Sequence, residues 1–313
     1  MECPEPEPVL EAVEASCASR EQRCPELGLG VLGAARPEPV ERRAPRAGAG
    51  RLEIARVDGA SAIVASAATS PLQLLAPSPR GRCAWVMPAC HGGGLVAGDD
   101  VSLEVEVGAD AVALLSTQAG TKVYRSAGAV AAQRLDARVW PGALLAVLPH
   151  PVTCFAGARY RQAQAIALDR GASLVWLDAL AAGRVARGER WDFHAYASRL
   201  ELSMGGALVL HDALRLVPGE GRPVAERLDG VDLVATIVLV GPAVAFHARA
   251  LLHALAAAPA DGGRPVLAAA SPLADGLILR VASRSVEAGL AFLREPLGFV
   301  EAVVGADPFA RTP

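Results

Sequence analysis

The chain is short of aromatic residues, which make up only 4% of its 313 residues. Carbohydrate-binding grooves usually display such rings, so their scarcity weighs against one. Neither charge sign dominates: 30 lysines and arginines stand against 33 aspartates and glutamates. That balance offers no basic surface for nucleic acid or for an anionic membrane. Cysteines occur at Cys3, Cys17, Cys24, Cys83, Cys90 and Cys154, and none forms Cys-x-x-Cys. This spacing fits neither a zinc ribbon nor a disulfide scaffold, and it predicts free thiols in a reducing compartment. No G-x-S-x-G elbow is present. The opening MECPEPEPVLEAVE lacks the basic and apolar regions of a secretory leader. The longest uncharged apolar run, Leu233 to Phe246, is too short to span a membrane and is interrupted by Gly241-Pro242. These absences predict a cytoplasmic protein.

Residues 1–50 are rich in Pro, Glu, Arg and Gly and carry little hydrophobic periodicity, which predicts a flexible N-terminal segment. Gly28, Gly30 and Gly33 match G-x-G-x-x-G there. No strand precedes them, and Pro37 and Pro39 break the helix that should follow, so a dinucleotide site is rejected. Residues 51–230 are different. Val101, Leu103, Val105 and Val107 alternate with Ser102, Glu104 and Glu106, the pattern of a half-buried strand. Four related units follow, centred on Gly108, Gly142, Gly171 and Gly205. Each reads as strand, glycine turn, strand. The prediction is a mainly β fold of stacked hairpins forming a β-helix-like, layered body. Residues 231–313 predict a smaller α+β portion packed on that body. It has strands at Leu233–Val240, Val266–Ala270 and Leu277–Ala282, and two helices at Val244–Ala257 and Val286–Arg294.

The stretch HGGGLVAGDD, residues 91–100, resembles a phosphate cradle at first sight. No Lys-Ser/Thr follows its glycines, and Asp99 and Asp100 would repel phosphate, so it reads as a tight entry into the next strand. The histidines do not cluster. His247 and His253 lie on different faces of a predicted helix and cannot chelate one ion. Two acids share a position: Asp178 and Asp212 each fall seven residues after a unit glycine. Stacking in register would align them with Pro149 and Leu115, beside His150 and Ser116. Such a column of oxygens and imidazole would suit a path for a divalent cation. The plainer alternative is strand-end acids in water, or acids paired with Arg184, Arg187 or Arg215. A carboxylate-dependent hydrolase acting on carbohydrate, its groove lined by Trp140, Trp176 and Trp191, is the competing function, though these tryptophans are expected mostly in the core.

Residues 91–126, HGGGLVAGDDVSLEVEVGADAVALLSTQAGTKVYRS, resemble the signature region of the UreD (UreH) urease accessory proteins. In that family Gly-Gly-x-Val-x-Gly-Asp leads through paired strands to Thr-x-x-x-Thr-Lys-x-Tyr-Arg-Ser. The matching positions here are Gly93, Gly94, Gly98, Asp99, Thr117, Thr121, Lys122, Tyr124 and Arg125. The segments LPHPVTCFAGARY, LVWLDALAAGRVARGER and ALVLHDALRL extend the likeness over roughly residues 51–300. The resemblance implies a non-enzymatic metallochaperone that binds apo-urease with UreF and UreG in a hetero-oligomeric complex. It implies no tightly bound cofactor, only nickel in transit. The path would run through an acid-lined tunnel whose positions match Asp99, Asp178 and Asp212. Two departures stand out. His150-Pro151 stands where many relatives have Gln-Glu or Gln-Asp, so that any nickel contact there would fall to His150, and the chain ends GADPFARTP in place of a Pro-Arg-Ile-Trp-like terminus. Lys122, Tyr124 and Arg125 are expected to serve structure or a partner, with Lys122, Tyr124 and Ser126 sharing one strand face.

Overall fold

A computed structural model describes residues 46–77, 81–257, 263–305 and 307–309. The glycine motif at 28–33, Cys3, Cys17, Cys24 and most of the expected N-terminal segment lie outside the described residues. The described part is built on two large sheets. The first has seven strands, here called β14 (Ala207–Leu216), β13 (Ala195–Met204), β11 (Arg159–Leu168), β8 (Ala131–Val139), β5 (Asp100–Val107), β1 (Ala49–Val57) and β2 (Ala60–Ala68), in that spatial order. The second runs β16 (Val266–Leu273), β17 (Gly276–Ser283), β15 (Leu233–Val240), β12 (Ser173–Ala181), β9 (Leu144–Leu148), β6 (Val112–Ser116), β4 (Ala84–Cys90) and β3 (Leu72–Leu75). Short strands β7 (Thr121–Val123) and β10 (Val152–Cys154) branch from β12.

The chain alternates between the sheets. It passes from β5 to β6, from β8 to β9, and from β11 to β12, and each strand pairs in parallel with its equivalent in the next coil. This is the layered, solenoid-like β arrangement expected, with 50% strand against 13% helix. The turns differ in detail from simple hairpins. At Gly108, Gly142 and Gly171 the two flanking strands belong to different sheets and face one another across the gap. Gly142 and Gly171 adopt φ of +73° and +84°, left-handed values that glycine accepts without strain. The Gly142 N–H donates to the Gly171 carbonyl at 3.2 Å, so successive corners stack as well. Only the last unit, at Gly205, folds back as an antiparallel hairpin, β13 with β14. The physical reason lies in the burial of both flanking strands. A corner lets their apolar faces close on each other, while β14 is largely exposed and has no second sheet strand to supply.

The ends of the parallel stacks are closed by antiparallel strands. β2 caps β1 and β14 caps β13 in the first sheet, while β3 caps β4 and β15 caps β12 in the second. β17 and β16 then continue from β15 by antiparallel pairing. Val224 of the short helix α1 (Val224–Arg227) is buried with Trp191, Phe193 and Leu216, while the second sheet carries the helices α2 (Ala245–Ala257), α3 (Val286–Arg294) and α4 (Val300–Val304). Helices α2 and α3 match the two expected; α1 and α4 are too short to show a helical period. Ser285 caps α3 by accepting from the Ala288 N–H at 3.2 Å. None of the described helices is long and apolar enough to cross a membrane.

The two faces explain two sequence textures. β5 alternates because one face meets the gap and the other meets water. β9 and β12 read as nearly continuous apolar runs because both their faces are covered. Leu145, Val147, Leu174 and Trp176 face the gap, while Leu144, Ala146, Val175 and Leu177 join the layer containing Ala248, Leu293, Val300 and Val304. Each fully buried Leu or Val contributes about 1.5–3 kcal/mol by leaving water. Leu145, at 0% exposure, sits mid-gap. Leu145→Ala is expected to lower the unfolding free energy by about 2–5 kcal/mol. Leu208→Ala, on a side chain 64% exposed, should change it by about 0.5 kcal/mol or less. Urea denaturation of both variants checks this.

Candidate functional site

The gap between the sheets is not apolar throughout. Inward positions follow the phase Tyr160, Gln162, Gln164, Ile166 on β11 and Tyr196, Ser198, Leu200 on β13, with Gln133 beside Gln162 on β8. Polar side chains therefore fall next to each other on neighbouring strands and make a belt across the first sheet. Asp178 answers them from the second sheet. Its two carboxylate oxygens lie 2.8 and 2.7 Å from Gln162 Nε2, and the Ser198 hydroxyl donates to it at 2.8 Å. The Tyr160 hydroxyl lies 2.5 Å from Gln133 Oε1 and 3.1 Å from Gln162 Oε1. Trp176 Nε1–H donates to Gln164 Oε1 at 2.6 Å.

Two cavities meet at this belt. One, of about 410 Å³, is lined by Asp178, Ser198, Asp212, Thr236 and Arg280 among others. The other, of about 270 Å³, is lined by Gly93, Gly94, Ser116, Thr117, Gln162 and, again, Asp178. Asp178 is thus common to both. It lies deep in the protein without being sealed, since its remaining surface opens onto the cavities. Among the described residues no arginine or lysine forms an ion pair with it. Loss of hydration pushes its carboxyl above the ordinary value of 3.8, and the nearby Asp212 charge adds to this. The bonds from Gln162 and Ser198 oppose the shift.

The acids do not form the single column that equal offsets suggest. Leu115 pairs with Val147, and Val147 with Trp176, because Gly108 stands two residues earlier in its corner than Gly142 and Gly171 do in theirs, although the corners themselves are equal in length. Asp212 lies on β14, opposite Leu200 in the other sheet. Asp178 and Asp212 nevertheless meet, across the gap instead of along one sheet. The arginine partners also differ from those anticipated. Asp212 bonds Arg280, whereas Arg184 pairs with Glu189 and Arg215 with Glu220. Asp99 stands apart, closing the glycine-rich turn by accepting from the Val96 N–H at 2.8 Å. Its charge and burial together push the Cys90 thiol up to about 11, burial being the larger cause. His150 packs against Thr117: ring Nδ1 lies 3.2 Å from Oγ1, and the His150 backbone N–H donates to that oxygen at 2.9 Å. Among the described residues no three His, Cys, Asp or Glu side chains gather tightly enough to hold a metal ion.

The glycine-rich stretch answers a backbone demand. Leu95 N–H donates to the Lys122 carbonyl at 2.8 Å, and Tyr124 N–H donates to the Leu95 carbonyl at 2.9 Å. A side chain at Gly94 would press within 2.6 Å of that Lys122 oxygen and 2.7 Å of the Tyr124 ring. Gly93 and Gly98 take φ of +69° and +88° to turn the chain on either side. Thr121, the first residue of β7, pairs with Val152 of β10. That strand ends at Val123, so the common face expected for Lys122, Tyr124 and Ser126 does not form: Lys122 is exposed and Ser126 buried. Tyr124 meets Phe155 edge-on at 5.4 Å, and Arg125 bridges to Ala158. Trp176 and Trp191 are buried, while Trp140 is half-buried beneath the Arg138 guanidinium. None of the three tryptophans lines either cavity.

Over residues 46–312 the chain matches the family described as UreD urease accessory protein. The chain belongs to the UreD family. It is 67% identical over 313 residues, the full length of both chains, to the urease accessory protein UreD of Anaeromyxobacter sp. (strain Fw109-5). It is 50% identical over 271 residues, 86% of each chain, to that of Sorangium cellulosum (strain So ce56). The urease accessory protein D of Oryza sativa subsp. japonica is 32% identical over 295 residues, covering 85% of this chain and 96% of the rice protein.

The belt glutamines, Ser198, Thr236 and Arg280 were not singled out by motif. Their mark in the sequence is a polar residue at the inward phase of a strand, as in RYRQAQAIAL. For this UreD chain the raised Asp178 carboxyl has a consequence for stability. Between 3.8 and its higher folded value, the native state binds more protons than the unfolded chain. Stability therefore falls as pH rises through that window, and the penalty is complete above it. Asp178→Asn carries no such charge. Its melting temperature relative to wild type is expected to be higher at about pH 8 than at about pH 4, measured by thermal melts at both.

Proposed function

We propose that the chain acts in the cytoplasm as a urease maturation chaperone, binding apo-urease together with UreF and UreG and helping nickel reach the urease active site. The observation that carries the reading is Asp178, a cation-free carboxylate shared by two cavities within a belt of oxygen donors. Membership of the UreD family supplies the urease connection. Amide, hydroxyl and carboxylate oxygens in a row attract a divalent ion and release it again, whereas a cage of histidine and thiolate ligands would retain it. On this reading Asp178 is the central ligand of the route, Asp212 lies at one end, and Asp99 and His150 stand near the glycine-rich end. Lys122, Tyr124 and Arg125 then hold the loop that shapes the second cavity, and their exposed parts are open to partners.

The carbohydrate-hydrolase alternative gains nothing from this geometry. Its tryptophans lie away from the cavities, and Asp212 is tied to Arg280.

Asp178→Ala and Asp212→Ala are each expected to reduce the nickel content of urease matured beside the variant, while pull-down of urease and its accessory partners is preserved. Metal analysis of purified urease reads the first, and co-purification the second. Normal loading in both variants would sink the route. The purified chain alone is expected to bind Ni²⁺ weakly, since the described residues hold no closed ligand cluster. Titration calorimetry showing one tight stoichiometric site would overturn that expectation.

A further inference from the structure

Arg280 stands where the route opens. It lies on β17, in the same cross-strand row as Thr236 and Asp178. At the spacing of hydrogen-bonded strands, its Cα is about 10 Å along the sheet from that of Asp178. Asp212 projects from β14, the outermost strand of the opposite sheet. Arg280 Nη2 reaches Asp212 Oδ1 at 2.5 Å, and Nη1 lies 3.4 Å from Oδ2. The ion pair therefore ties the two sheets together across the gap. Its two halves are unequally exposed: the arginine side chain is 57% accessible and the aspartate 16%. The guanidinium thus comes from the solvent side to an acid set inside. Both residues line the larger cavity, whose inner wall is Asp178.

We infer that Arg280 is a gating residue: its guanidinium holds the cation position at Asp212 and excludes divalent ions from the Asp178 cavity until it is drawn aside. The inference rests on the proposed passage of cations along the belt. Two physical effects combine. The guanidinium engages both Asp212 oxygens in a forked contact and balances the carboxylate charge that would attract an incoming ion. Its fixed charge also repels a divalent cation entering the cavity that it lines together with Asp178. Because the arginine is largely exposed, it can swing outward into solvent at the cost of its contact with Asp212. An anionic group on a docked partner would compete for it, opening the cavity only within an assembly. A gate of this kind explains why an acid pair facing a cavity would hold Ni²⁺ weakly in the isolated chain.

Titration of NiSO₄ into the purified full chain tests this. Arg280→Gln removes the charge and is expected to tighten Ni²⁺ binding by about tenfold or more. Arg280→Lys keeps the charge and should stay near wild type. Arg280→Gln combined with Asp212→Asn should lose the gain, because the freed carboxylate is what the ion would use. Arg280→Met, which preserves the aliphatic stem, repeats the test should the Gln variant melt early. Affinity within about twofold of wild type in both neutral variants, or a gain that survives Asp212→Asn, overturns the gate. Urease loading by Asp178→Ala reads the route separately. Normal loading there with tighter binding in Arg280→Gln would leave the gate and discard the route, and the reverse pattern would do the opposite.

Discussion

Two sheets must close on each other, and everything else follows from how their inner faces are filled. Each coil sends one strand to each sheet, so every inward side chain has neighbours above and below in its own sheet and others across the gap. In most of the gap these are Leu, Val, Ala and Trp176, and their removal from water holds the sheets together. At one level the same packing rule delivers Gln133, Gln162 and Ser198 side by side. Once placed there, each must find a partner, because a buried polar group left unpaired costs about 1–3 kcal/mol. They find one another and Asp178. The belt is therefore a stable part of the sandwich as well as the level at which the two cavities meet.

Asp178 concentrates the tension in this design. It is held by neutral donors and no cation, so its ionised form is under-compensated. An approaching divalent ion would relieve that condition, and departure of the ion would restore it. Asp212 is the opposite case: its charge is already met by Arg280. Two acids of one cavity thus differ in availability because of what their neighbours carry, and neither sequence offset nor residue type reveals this.

Much of the architecture was legible beforehand. Period-two alternation marked β5, and continuous apolar runs marked β12 and β15. Val286–Arg294 was readable as a helix from its spacing. What escaped was pairing. A glycine between two apolar strands has the same local appearance whether it turns a corner between sheets, as at Gly171, or closes a hairpin, as at Gly205. The choice depends on whether a strand of another coil is there to receive hydrogen bonds, which is a non-local fact. The same limit hid Arg280. Only the three-dimensional register shows that residue 280 reaches residue 212. The glycine-rich stretch was readable as a tight entry into the next strand, yet its docking against Lys122 and Tyr124 required seeing the loop add a strand-like rung beside β7.

The antiparallel strands that close each stack carry a further meaning. A parallel solenoid can in principle grow without end, one coil upon the next, in its own chain or by addition of another. Here β2 and β14 bar growth of one sheet, and β3 and β16 terminate the other. The number of coils is therefore counted by topology, and so is the distance from the glycine-rich loop to the far cavity. Lengthening that interval would take the insertion of a whole coil, with a strand for each sheet. The sandwich behaves as a ruler, with the interval between its two ends set by the number of coils.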